Sequence, residues 1–454
     1  MSAPAQHAII APAPRIGGLR ALRLLATVGG AGVAAGVIRR RAPVMQLLER
    51  LDADAATLST VRALRREFGG RPVRLDLPGR AIVLVLDPDD VGRVLDGSPS
   101  PFTPANREKV AALSPFQPRG VLISRGRARE MRRAVNEAAL DTDRSVHRYA
   151  TTMDRVIADE ADRMVQSALA TRTLSADDIV IAWWRIVRRI TFGDAARDDS
   201  TTTDMLRTLR SVGNWSYLGP RRSALRERFV DRLHTLVAQA PTGSLAAALD
   251  ESPGPAAADP VGQIPHWLFA FDAAGIAVIR TLALIVGHPS VENAITTSDA
   301  PDRATLLRGS VLESVRLWPT TPSILRDAVE DTTLGDPPVR VHAGDAVLVQ
   351  ASAFHRDPDL GDYADRFEPD IWSDGRAAAR PDLVPFSAGP ARCPGENLVL
   401  HTTSTFLDRV LGAAHLAVTS RVRPTDHTPL PMTLDHFAVR FAIIARREGR
   451  VTRS

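Results

Sequence analysis

The stretch PFSAGPARCPGENL, from Pro385 to Leu398, holds the only cysteine of a 454-residue chain, Cys393. A lone cysteine cannot close an internal disulfide, so the fold must be held by its core. With 44% hydrophobic and 24% charged residues, the chain has the material for one. Gly389 and Gly395 allow backbone angles that a tight loop presenting one sulfur requires. Pro394 suits the first turn of a helix, and GENLVLHTTSTFLDRVL carries helical periodicity. The spacing therefore sets Cys393 just before a helix N-terminus, where amides and the helix dipole favour a thiolate. Three uses stay open for such a residue: a small buried filler, a nucleophile, or a single metal ligand. A nucleophile wants a base, and His401 is the one local candidate. The loop reads as a ligand loop.

The pattern elsewhere is many helices with a minor set of strands, without the strand–helix alternation of a nucleotide-binding sheet. Helical spacing runs over 44–51, 58–68, 125–240, 265–286 and 303–317, and strands are expected at 72–77, 81–86 and within 333–349. Residues 98–124, with five prolines, read as a long loop, and 241–262 as a linker. The 57 basic residues exceed the 52 acidic ones slightly, are dispersed, and are all arginine except Lys109. No basic run interleaves with aromatics, so no nucleic-acid partner is expected. The apolar run 24–38 is shorter than the roughly 20 residues a membrane span needs. With one cysteine, the expectation is a cytoplasmic protein without membrane association.

Phe386-x-x-Gly389-x-x-x-Cys393-x-Gly395 resembles the haem-binding signature of the cytochrome P-450 family, of the soluble bacterial type. Three further segments, in order, resemble the same family. Glu313-Ser-Val-Arg316 looks like its Glu-x-x-Arg motif. Residues 353–358 (AFHRDP) and 367–372 (FEPDIW) look like the segments that follow. The long apolar helix around Asp272 looks like the one that crosses the distal face of the haem. The resemblance covers residue 72 to the C-terminus and implies a mainly α fold with a minor β part, a triangular helical prism enclosing haem. It divides the chain into an unmatched extension, 1–50, and one catalytic domain, 51–454.

What the resemblance implies for residues is specific. Cys393 becomes the axial ligand of haem b (iron protoporphyrin IX), with Phe386, Gly389 and Gly395 shaping the loop. Arg132, Arg326 and Arg392 are expected to meet the haem carboxylates, and Glu313 and Arg316 to stabilise the core behind it. Asp272 and Ala273 are expected at the oxygen-activating position. Three departures stand out: Ala273 replaces a threonine, Ile371 replaces an arginine that would join Glu313–Arg316 (Arg366 or Arg376 could substitute), and Ala391 replaces a basic residue, with Arg392 one position late. The implied activity is a monooxygenase acting on a small organic substrate, with electrons from a ferredoxin and its reductase. A peroxide-using, rearranging or coupling enzyme is one alternative, and a non-catalytic helper another.

Overall fold

The computed structural model describes residues 11–215, 217–220, 222–251, 255–427 and 429–446. Its centre is the helix Ile264–Gly287, predominantly apolar and mostly buried, with Asp272 and Arg280 among its few charges. It packs against Ala176–Phe192, Ala300–Leu317 and Glu396–Ala413, so the cysteine helix and the Glu–Arg helix share one core with it. Gly275 makes one of these contacts possible: a β-carbon there would meet the Trp183 ring at 2.7 Å. The Trp183 indole donates to the Phe271 carbonyl at 2.7 Å, locking the two helices in register.

Three small sheets flank the helices. The largest has six strands in the order Arg15–Ile16, Val73–Leu77, Arg80–Leu84, Ala346–Gln350, Ser323–Ala328 and Phe102–Thr103. Ser323–Ala328 carries Arg326 and pairs antiparallel with Ala346–Gln350, placing that arginine opposite Val347. A second sheet joins Ala414–Val418, Arg440–Ala445 and Thr173–Ser175. The third joins Ala11–Pro12 to Val339–Val341 and Thr332–Leu334. The mainly α architecture with a minor β part is the one the sequence implies.

Residues 11–50 are woven into this frame. They add a strand to each of two sheets and a helix, Gly18–Ala35, whose Ala21 and Val28 pack over the first sheet beside Leu64 and Leu75. Two segments read as irregular contain structure. Residues 98–124 hold the helix Arg107–Leu113, capped by the Asn106 side chain on the Lys109 amide. Residues 241–262 hold the short helix Ala248–Glu251 and 3₁₀ turns, with 252–254 outside the described residues. The proline count hid the first of these, because its prolines lie outside the helical turn itself.

Candidate functional site

The cysteine loop is built by close backbone approach. Gly389 has φ +61°, and a β-carbon on it would lie 2.4 Å from the Leu95 carbonyl, so a side chain is excluded twice over. Ser387 is also left-handed, at φ 63°. The Cys393 amide donates to the Phe386 carbonyl at 3.0 Å, closing the loop across Gly389. The helix begins at Glu396 with Gly395 as its N-cap, so Pro394 lies just before the helix rather than in its first turn. The Gly395 amide favours a thiolate at Cys393, yet burial outweighs it and pushes the thiol up to about 11. Cys393 nevertheless keeps accessible surface. The residue is thus neither sealed among packed side chains nor open to bulk water. A sulfur so placed is a thiol on its own and a thiolate only when a metal replaces its proton.

Cations gather in the same interior. Arg326 is 3% exposed and donates to Ser98 Oγ and Ser387 Oγ, the latter within the cysteine loop. Arg129 is buried and reaches the Pro390 carbonyl, also in the loop, at 3.5 Å. Burial pushes Arg326 down to about 10, with Arg129 adding like-charge repulsion. Burial likewise pushes Lys109 down to about 7, reinforced by Arg326 and Arg129. Asp327, the one carboxylate that acts on Lys109, is already held by Arg80. Among the described residues this cluster lacks a counter-ion of its own, and buried charges without partners are costly. A cofactor bearing two carboxylates and a metal supplies what the cations and the thiol lack, so the residues present fit haem.

The arginines expected from sequence fall differently. Arg326 lies in the cluster. Arg132 donates to Ser124 Oγ, with its Nε buried and without a partner. Arg129, one turn earlier on the helix Gly126–Ala139, reaches the Pro390 carbonyl of the cysteine loop at 3.5 Å, and Arg133, next to Arg132, donates to the Arg392 carbonyl of the same loop at 2.6 Å. Arg392, also expected at the cofactor, is turned outward, 60% exposed and bridged to Glu396. A residue adjacent to Cys393 in a turn points to the other side of the chain from the sulfur. His401 pairs with Asp154 at 2.8 Å, and among the described residues it makes no hydrogen bond to Cys393.

Glu313 and Arg316 are fully buried and bidentate, at 2.6 and 2.8 Å. Arg316 also donates to the carbonyls of His355, Tyr363, Ala364 and Arg366, so no proton of the guanidinium fork is wasted. Ile371, where an arginine was missed, is buried and apolar. Its place is taken by the neighbouring Trp372, whose indole donates to Glu313 at 2.9 Å, together with the Glu368 amide at 3.0 Å. Neither arginine proposed as a substitute serves: the Arg366 side chain pairs with Asp362, and Arg376 with Glu368 and Asp374.

On the long helix, Asp272 is gripped by Arg210 of the helix Ser200–Gly213 at 2.7 Å. Arg210 also donates to the Ile38 carbonyl and lies over the Phe269 ring at 4.9 Å. Ala273 offers no hydroxyl beside this carboxylate. Away from all this, a cleft of about 290 Å³ lined by Arg15, Arg74, Arg340 and His342 sits at a sheet edge and shares no residue with the cysteine site.

Residues 291–436 match the family model described as Cytochrome P450. That stretch contains Glu313, Arg316, Arg326 and the whole cysteine loop. This stretch is similar to the cytochrome P450 family. Among curated proteins, the chain is 31% identical over 35% of its length to cytochrome P450 monooxygenase apdE of Emericella nidulans, covering 33% of that protein. It is 31% identical over 37% of its length to cyclooctat-9-en-7-ol 5-monooxygenase of Streptomyces melanosporofaciens, covering 39% of it. Cytochrome P450 52C1 of Candida tropicalis is 31% identical over 28% of this chain and 26% of its own. The chain thus spans about a third of the length of the first two relatives it matches. The cysteine loop lies inside the matched stretch.

Proposed function

We propose that the protein is a haem-thiolate monooxygenase that inserts one oxygen atom of dioxygen into a small organic molecule, with haem b as cofactor and a ferredoxin with its reductase as electron donors. The observation that carries the reading is the desolvated but still partly accessible thiol of Cys393, in a loop that buried Arg326 and Arg129 both reach. When bound, a thiolate-ligated haem supplies electron density that favours O–O cleavage. Cys393 would hold the metal, and Arg326 and Arg129 the two carboxylates, for which planar, permanently charged guanidinium groups are suited. Phe116 and Phe269, in edge contact at 5.8 Å, would exclude water and seat an apolar substrate.

Asp272 would stand at the position that relays protons, held in place by Arg210. With alanine at 273, the hydrogen bond usually expected from a neighbouring alcohol would come from water or from the substrate. The same pairing favours one second reading, a peroxide-using enzyme, because such chemistry has less need of a proton relay from a free acid–alcohol pair. The single cysteine supports a cytoplasmic location, and the exposed Arg392 beside the loop would suit an acidic electron donor.

The test is turnover in labelled dioxygen with a surrogate ferredoxin, its reductase and NAD(P)H, over a panel of apolar substrates. One labelled oxygen in the product is expected. Label that enters only from peroxide would favour the second reading.

A further inference from the structure

The helix Gly18–Ala35 has two apolar faces and packs only one of them. Ala21, Val28 and Ala35, seven residues apart, are buried, the first two in the cluster with Leu64 and Leu75. The opposite side carries Leu19, Leu22, Ala26 and Val33, all of them exposed, Leu19 at 71%. A helix that is apolar all round belongs inside a protein or against lipid.

The exposed apolar surface does not stop at that helix. Val37 stands out in the same segment, followed by Leu47 and Leu51 of the helix Ala42–Leu51. A loop distant in sequence adds Trp215, Tyr217 and Leu218, the last 86% exposed. Trp215 and Tyr217 are the only exposed tryptophan and tyrosine among the described residues. Direct contacts join the two segments. The Asn214 side chain accepts from the Ile38 and Arg39 amides at 2.8 and 3.0 Å and donates to the Arg39 carbonyl at 2.8 Å. The Arg41 guanidinium lies over the Trp215 ring at 5.4 Å, and the Arg41 amide donates to the Ala35 carbonyl at 2.9 Å, where the first helix ends. The other large exposed hydrophobics of the described residues are scattered singly along the sequence, as on any protein surface.

Charge says what covers this surface. Residues 1–51 contain seven arginines and one acidic residue, Glu49, so the chain's whole net charge of +5 resides there and the remainder is close to balanced. Glu49 is closed on Arg421 at 2.6 Å. Arg23 and Arg50 are exposed, and their side chains have no partner among the described residues. The loop adds the exposed Arg222, and no acidic residue lies between 214 and 222. A second copy of this chain would bring the same arginines and repel them. An anionic bilayer offers acyl chains to the leucines and phosphates to the arginines, and tryptophan and tyrosine favour the boundary between the two.

We propose that the face formed by Gly18–Ala35, Ala42–Leu51 and the loop 214–218 rests on an anionic lipid bilayer, attaching the protein peripherally. The first helix lies on the bilayer rather than across it, because its other face is committed to the sheet. The apolar run 24–38 is too short to span, and a helix lying flat need not.

The experiment is flotation of the purified full chain with vesicles of phosphatidylcholine alone or mixed equally with phosphatidylglycerol. The proteins are the parent, Leu218→Glu, and a double variant with Arg23→Gln and Arg50→Gln, each also examined by light scattering without lipid. The parent should partition about tenfold or more better into the anionic vesicles than into the neutral ones, and high salt should shrink that preference. Leu218→Glu should lose about tenfold or more on the anionic vesicles, as withdrawing a leucine from an apolar phase warrants. The double arginine variant should lose about tenfold or more on the anionic vesicles alone. Equal partition of the parent into both vesicle types, or into neither, overturns the proposal, and so does a Leu218→Glu variant that floats like the parent. A parent that is dimeric without lipid and becomes monomeric in Leu218→Glu would assign the face to a second copy and overturn it as well.

Discussion

The Trp372 indole donates a 2.9 Å hydrogen bond to the Glu313 carboxylate, which already holds Arg316 bidentately in a fully buried pair. One tryptophan therefore does for this core what an arginine at 371 would have done, with a neutral donor in place of a charge. The pair behind the cysteine helix is satisfied without adding a third buried ion, which spares the desolvation that ion would cost.

Removing either layer of this arrangement has a graded cost. Trp372→Phe removes one hydrogen bond to a charged group and should destabilise by about 1.5–3 kcal/mol. Glu313→Ala leaves Arg316 buried without its charge partner and should cost about 3–5 kcal/mol. Denaturant unfolding of both variants checks the order, and Trp372→Phe as stable as the parent would show that the indole bond is idle.

The arginines provide a contrast between buried and outward side chains. Arg326→Leu should weaken haem retention about tenfold or more, the worth of one lost charged hydrogen bond or more. Arg392→Leu, which removes an exposed bridge to Glu396, should leave retention within about twofold, since such pairs contribute at most about 1 kcal/mol. Haem transfer to excess apomyoglobin measures both. Equal losses would return Arg392 to the site.

Much of this was legible in sequence, and the misses share a cause. Cys393, its glycines and the Glu313–Arg316 pair are local patterns: a turn, a helix start, an i, i+3 spacing. What spacing cannot give is which face of a helix meets the interior. Arg129 and Arg132 lie one turn apart on the same helix, and only packing tells that Arg129 reaches Pro390. Nor does spacing tell that the Arg392 side chain lies outward against Glu396. Trp372 was passed over because the reading looked for a charge to replace a charge. Lys109 was hidden inside a stretch read as loop, although its being the sole lysine was the available signal.

Gly389 carries a test of the loop itself. Gly389→Ala puts a β-carbon 2.4 Å from the Leu95 carbonyl in a left-handed conformation, where strain of about 1–3 kcal/mol is expected from the backbone alone. The variant should lose both thermal stability and haem content, and a parent-like melting temperature with full haem content would contradict the close approach.

At the distal helix the account expects imperfect coupling. Ala273→Thr adds the missing hydroxyl beside Asp272, and positioned proton transfer is typically worth about 10²–10⁴-fold. Product formed per NAD(P)H consumed should rise and peroxide fall for a poorly matched substrate, with little change for a well-matched one that brings its own hydrogen bond. An unchanged ratio for every substrate would mean that the hydroxyl is dispensable here.

The central claim is that Cys393 is the thiolate ligand of a haem, and the carbon monoxide spectrum of the dithionite-reduced protein addresses it most directly. The parent should show the red-shifted Soret band of a thiolate-ligated carbonyl complex, and Cys393→His should bind haem and lack that band. A parent without the band, or a Cys393→His variant that keeps it, would contradict the assignment.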